Sequence, residues 1–169
     1  MKPLAAWATP GPVMVAGSVE PQDVGDLLDA FSLVRARRPD ARLLVVPHDP
    51  SESIVARVRQ SVAGAAAWSP GDAVPDATTA VVVVQSVGLL PDLYLLGSMA
   101  YVGGGHSVLE PAALACPALE PAPAPVMASR WIDWLEDPHS ARADGLKARR
   151  AVQPGAARVI AERLDQLIG

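Results

Sequence analysis

Apolar positions along the chain fall into short runs that alternate with stripes of helical spacing. Val13-Met-Val-Ala16 is a brief apolar run entered through Pro10-Gly-Pro12, and its length and bounds predict a buried strand. Pro21 opens a helix in which Val24, Leu27, Leu28, Phe31 and Val34 share one face. Asp23 and Asp26 lie in its first turns, Arg35, Arg37 and Arg38 at its end, and Pro39 stops it; both charge placements complement the helix macrodipole. Leu43-Leu-Val-Val46 repeats the strand signature, Pro47-His-Asp-Pro50 breaks it, and Ile54, Val55, Val58 and Val62 mark a second helix.

A short strand over residues 65–68 leads into a proline- and glycine-rich passage, and then Val81-Val-Val-Val84 is apolar at every position. Such a run suits a central parallel strand covered on both faces. Residues 90–98 suit a short helix, Met99-Ala-Tyr-Val102 another strand closed by Gly103, Gly104 and Gly105, and a helix begins near Leu109. The alternation predicts an α/β fold, a Rossmann-like doubly wound parallel sheet followed by C-terminal helices. Ligands of such sheets gather at the carboxyl ends of the strands, so the loops after Ala16, Val46, Val84 and Val102 carry the candidate site. Further on, residues 119–126 read as a Pro/Ala linker, with helices over 127–135, 140–151 and 154–168 and no further strand. Val159, Ile160, Leu164, Leu167 and Ile168 form the apolar stripe of the last helix.

A length of 169 residues suits one domain, and a composition of 50% hydrophobic but only 4% aromatic residues predicts a core of small aliphatic layers. The net charge of -4, with no Lys/Arg block among aromatics, argues against a nucleic-acid partner. Cys116 is the only cysteine, so no intrachain disulfide forms, which fits a reducing, cytoplasmic compartment, and it reads as a small buried apolar residue. Pro3, Pro10, Gly11 and Pro12 break any apolar helix at the start, and no apolar run approaches the roughly 20 residues a membrane helix needs. No membrane insertion by this segment is expected.

Two features carry candidate chemistry. Gly103-Gly-Gly105 before His106-Ser-Val-Leu-Glu-Pro111 places bare backbone at a strand end, either to let amides approach a phosphate or to make a tight turn with positive φ. Ser107-Val-Leu-Glu110 matches a capping box, but Pro111 would then fall at the fourth helical position, where its ring and missing amide are unwelcome. A helix starting near Glu110 accommodates the proline and leaves the Glu110 carboxylate able to accept from a ribose diol. His106 either hydrogen-bonds the glycine loop or touches a ligand, and His48 and His139 read as solvent-facing. The three histidines make no metal-ligand spacing, and no metal or cofactor is expected. Trp131 and Trp134 read as packing residues on an amphipathic helix.

These residues resemble the carboxyl-terminal half of the 3-deoxy-D-manno-octulosonic acid (Kdo) transferases of lipopolysaccharide synthesis, enzymes of the two-domain GT-B fold. Ala16-Gly-Ser-Val-Glu-Pro21 is similar to the family's Ala-Ser-Thr-His-Pro/Glu-Gly, Val46-Pro-His-Asp-Pro50 to Val-Pro-Arg-His-Pro, and Ser86-Val-Gly88 to Thr-Met-Gly, while Tyr94 matches a family tyrosine. Tyr101-Val-Gly-Gly104 and Gly105-His-Ser-Val-Leu-Glu-Pro-Ala-Ala113 resemble Phe-Val-Gly-Gly-Ser and Gly-Gly-His-Asn-Pro-Leu-Glu-Pro-Ala-Ala. The resemblance implies a binding site for a CMP-Kdo-like nucleotide sugar on Ser18, Pro47, His48, Ser86, Gly88, Gly104, Gly105, His106, Ser107 and Glu110, with no catalytic metal. It also implies that residues 1–12 are the remnant of an interdomain linker. An amino-terminal acceptor domain would be the partner, and this half alone would not turn over because transfer occurs in the cleft between the two. That missing domain would bring the protein to the inner face of the membrane.

The departures are specific. His48 stands where the family has arginine, Asp49 where it has histidine, Ser107 where it has asparagine and Leu89 where it has glutamate, and the glycine loop is shorter. An imidazole lacks the bidentate fork of a guanidinium, and Asp49 adds negative charge beside an anion site. Two other readings therefore stand beside the first: a non-catalytic scaffold that keeps the fold, and half of a sugar-nucleotide 2-epimerase, which would prefer UDP to CMP.

Overall fold

A computed structural model describes residues 2–9, 11–50 and 52–152; the helix expected over 154–168 lies outside them. The elements run α1 (Lys2–Ala8), β1 (Val13–Val19), α2 (Val24–Arg37), β2 (Arg42–Pro47), α3 (Glu52–Ser61), β3 (Ala66–Trp68) and β4 (Val81–Val84), then α4 (Leu90–Tyr94), β5 (Met99–Val102), α5 (Leu109–Ala113), β6 (Ala118–Leu119), α6 (Ala124–Glu136) and α7 (Pro138–Ala151). The strands form one six-stranded parallel sheet in the order β3-β4-β2-β1-β5-β6. This is the doubly wound α/β architecture expected from the alternating pattern.

Strand period divides the core in two. Met14, Ala16, Leu43, Val45, Val81, Val83, Met99 and Tyr101 face α2, α3 and α6, while Val13, Val15, Leu44, Val46, Val82, Val84 and Ala100 face α1 and α4. Apart from Arg42 at the start of β2 and Ser18 near the end of β1, the four central strands are apolar because both of their faces are covered. Trp131 and Trp134 are buried as packing residues of α6, and the Trp134 indole donates to Asp144 of α7 at 2.9 Å. Cys116 is buried among apolar neighbours, and His139 is exposed.

Two elements differ from the sequence reading. Residues 2–8 form a helix, because Pro3 falls at its second position, where no intrahelical amide is required. Leu4 and Trp7 of this helix are buried against the sheet; the Trp7 indole donates to the Thr79 carbonyl at 2.9 Å, and the Arg42 guanidinium lies 5.0 Å from the Trp7 ring centroid. Arg42 donates to Ala77 O at 2.7 Å, and burial lowers its pKa. The second difference is β6, hidden between Pro117 and Pro121. A two-residue edge strand has no pattern of its own and exists through its pairing of Ala100 with Ala118 and Tyr101 with Leu119. Among the described residues, no helix is long and apolar enough to cross a membrane.

Two stability tests follow from this packing. Trp7→Ala removes the largest side chain α1 buries and should cost about 3–5 kcal/mol in urea unfolding. Burial raises the phenols of Tyr94 and Tyr101 above the ordinary 10.0 and pushes the Cys116 thiol up to about 12 from 9.0. Because the folded-state values are the higher ones, this stability is fully present below pH 9.0 and is lost as pH rises beyond it. The urea midpoint should therefore fall between neutral pH and about pH 10.5.

Candidate functional site

After β1 the chain passes to α2 on one face of the sheet, whereas after β4 and β5 it passes to α4 and α5 toward the other. The carboxyl ends of adjacent β1 and β5 therefore diverge at a topological switch point, where open α/β sheets form a crevice. The loops after β2 and β4 continue the same edge.

The β1 loop opens on Ser18, whose φ of 52° lies in the left-handed region that non-glycine residues avoid, beside a register shift between Ala16 and Val19. It turns into α2 through Asp23, a buried residue whose side chain makes no cap on its own helix. The carboxylate instead reaches backward and across: Oδ2 accepts from the Glu20 amide at 2.9 Å and from the Gly104 amide at 3.0 Å. One oxygen thus joins the β1 and β5 loops. Burial, the Asp23 charge and a hydrogen bond to Asp23 together raise the Tyr101 pKa.

The glycines of the β5 loop are shaped by this joint. Gly103 donates to Gly17 O at 2.9 Å, and a Cβ on Gly103 would collide with Asp23 Oδ2 and lie 2.8 Å from Ser18 O. Gly104, at φ 61°, leaves room for its neighbours; a Cβ there would sit 2.7 Å from Glu20 Cγ and 2.9 Å from His106 Cδ2. His106 is consequently close enough for its Nε2 to lie 3.6 Å from Glu20 Oε1. From the β2 loop, His48 donates its amide to Val19 O at 3.1 Å and stacks its ring on His106, with centroids 4.1 Å apart and planes inclined by 22°. The histidines at 48 and 106, far apart in sequence, are neighbours in the fold.

The other expected residues occupy the same edge with different surroundings. Pro47 is buried at the end of β2, paired with Val19. Ser107 Oγ accepts from the Leu109 amide at 3.2 Å, and α5 begins at Leu109, so Glu110 closes no capping box onto Ser107 and its side chain is exposed. The Tyr94 hydroxyl fills the space a Cβ on Gly17 would take. Its pKa is raised by burial first and then by the charges of Glu110 and Cys116. Ser86 and Gly88 lie on the β4 loop, where Ser86 Oγ donates to Val87 O at 3.4 Å and Gly88 has a φ of 78°. Among the described residues, no hydrogen bond or ring contact ties them to the histidine pair.

Asp23 was legible only as a favourable charge in the first turn of α2. Its spacing of three from Glu20 is the signal of a reach-back turn, and Asp23 N indeed donates to Glu20 O at 3.0 Å. Glu20 itself escaped notice because nothing in the sequence brings it toward His106. The four loops contain no lysine or arginine of their own, so within them histidines and backbone amides supply the positive potential, and the Arg57 guanidinium of α3 adds to it from outside by donating to Pro21 O at 2.5 Å.

No known sequence-family profile matches the chain. Among solved structures, the C-terminal CMP-Kdo binding domain of WaaA from Acinetobacter baumannii matches with a TM-score of 0.75, covering 89% of this chain and 96% of that one at 20% identity. The C-terminal domain of a glycosyl transferase group 1 family protein (LpcC) from Francisella tularensis matches with a TM-score of 0.59, covering 88% of each chain at 12% identity. The fold is that of a GT-B carboxyl-terminal domain. The resemblance read from the sequence is thus carried by the whole architecture of the sheet, with the glycine-rich β5 loop at the switch point of that GT-B frame.

Removing the joint between loops should be costly. Asp23→Ala leaves the Glu20 and Gly104 amides without their acceptor, and a loss of about 2–4 kcal/mol in urea unfolding is expected. Hydrogen exchange would show the Gly104 amide deprotected beyond the global change.

Proposed function

We propose that this chain is the donor-binding domain of a Kdo-transferase-like glycosyltransferase and holds a cytidine sugar nucleotide such as CMP-Kdo in the crevice between β1 and β5. The observation that carries the reading is the Asp23 joint, which fixes the glycine loop against the β1 loop at the switch point of a GT-B-type sheet. With Gly104 N engaged, the Gly105 amide and the His106 ring are the donors for the single phosphate, and Glu110 accepts from the ribose diol. Ser18, Pro47, His48 and Ser107 line the approach, and Ser86 and Gly88 extend it along the β4 loop. Likeness to the CMP-Kdo binding domain of WaaA supports the choice of nucleotide.

In a GT-B transferase the acceptor meets the donor across a second domain, so this domain binds and presents the donor while turnover needs the other half. The residues described have no assigned catalytic role; their work is recognition and orientation. In this reading the protein serves lipopolysaccharide assembly at the cytoplasmic side of the membrane.

One observation favours a second reading, a scaffold that has kept the fold and lost the ligand. The four loops lack any guanidinium or ammonium of their own, and Asp49 and Glu20 add negative charge near the proposed phosphate position. Titration calorimetry separates the two. Donor binding predicts a 1:1 heat with CMP that UMP does not reproduce, weakened about tenfold or more by Glu110→Gln, with 2′-deoxy-CMP less sensitive to that change. Absence of heat at millimolar CMP in a chain with an intact circular dichroism spectrum would leave the scaffold reading.

A further inference from the structure

Glu20, His48 and His106 come from three different loops, after β1, β2 and β5, and their ligand atoms all lie within 4.8 Å of one another. We infer that these three side chains form a binding site for a divalent transition metal of the zinc class, at the mouth of the crevice. The inference stands on the cluster itself and does not depend on the chain's binding a nucleotide.

The donor set suits such an ion. Two imidazoles and one carboxylate are borderline ligands that zinc, cobalt and nickel accept, and three protein ligands leave a coordination position open to water or an anion. Lysine and arginine are absent from all four loops, and the Arg57 guanidinium of α3, which approaches the β1 loop, is engaged with the Pro21 carbonyl at 2.5 Å. Access is adequate as well: the His106 and Glu20 side chains are 34% and 28% exposed, and His48 is exposed.

Backbone anchoring makes the cluster more than a chance approach of surface groups. Asp23 holds the Glu20 amide directly and the Gly104 amide two residues before His106, whose own amide donates to Gly103 O at 3.1 Å. The His48 amide is tied to Val19 O, next to Glu20 in the chain. All three ligand residues are therefore fixed at or within two residues of their own backbone, and the short side chain-free stretch at Gly104 lets Glu20 and His106 approach. Ligand atoms around a tetrahedral zinc ion stand about 3.3 Å apart. The Glu20–His106 pair, at 3.6 Å, already nearly meets that spacing. The two rings are stacked in nearly parallel planes, whereas two imidazoles on one ion must aim their nitrogens at a common point, so His48, free of side-chain hydrogen bonds among the described residues, must swing about its side-chain bonds for its nitrogen to converge.

Zinc titration against a chromophoric chelator, in the absence of nucleotide, tests the site on the intact chain. One equivalent of zinc should bind with micromolar or tighter affinity, and His48→Ala, His106→Ala and Glu20→Gln should each weaken it on the order of a hundredfold. His139→Ala, an exposed histidine outside the cluster, should leave it unchanged. Cobalt should give visible absorption bands of a four- or five-coordinate ion that His106→Ala abolishes. Circular dichroism on each variant establishes that it is folded, and Glu20→Gln keeps the side-chain size where an alanine would disturb the loop. Zinc binding weaker than about a millimolar, or binding that survives both histidine substitutions, would overturn the inference.

Discussion

The carboxylate of Asp23 sits at the amino-terminal end of α2, where the helix dipole favours negative charge, yet it spends its hydrogen bonds on the loops and not on the helix. Parallel strands leave the sheet at one edge with no ladder to hold their exits together, so each loop is free to choose its own path. A single oxygen accepting from Glu20 and Gly104 removes that freedom for the two loops that matter most. The absence of a side chain at Gly103 is its counterpart, since any Cβ there would occupy the position of the oxygen. Around this joint the remaining contacts find their places: the His48 amide on Val19, the histidine stack, and the Tyr94 hydroxyl beneath Gly17.

The core supplies the rigidity that such a joint needs. Central strands of valine, leucine and alanine alternate their side chains between two apolar layers, and α1 closes the second layer by placing Leu4 and Trp7 against it. The Arg42 guanidinium shows how closely packed that corner is. Its Nη1 has no hydrogen-bond partner among the described residues, and its charge is met by the Trp7 ring and the Ala77 carbonyl instead.

The sheet was readable because its central strands are buried on both faces and so appear as continuous apolar runs bounded by proline and glycine. Those boundaries also located the loops at the carboxyl edge. What pattern could not show is whatever depends on pairing across the fold. The strand Ala118–Leu119 exists only through β5, and the helix Lys2–Ala8 is settled by the burial of Leu4 and Trp7 over a proline-rich context. At the site, single residues at strand ends were visible one by one, but the meeting of His48 with His106 joins loops separated by three further strands in the chain. Asp23 was hidden for a different reason: an acidic residue at the start of a helix already has a sufficient local explanation.

Much of the carboxyl edge at β1 and β5 is formed by main chain: the Gly103 and Gly104 amides, the Gly17 and Val19 carbonyls, and the left-handed turn at Ser18. Contour made of backbone depends on the few side chains that pin it, Asp23 above all, and not on those that merely decorate it. Substitution at positions 48, 49, 89 or 107 changes the side-chain chemistry that the rim presents and leaves its main-chain contacts in place. In this chain the durable element is the mould, and the identity of what is cast in it can drift.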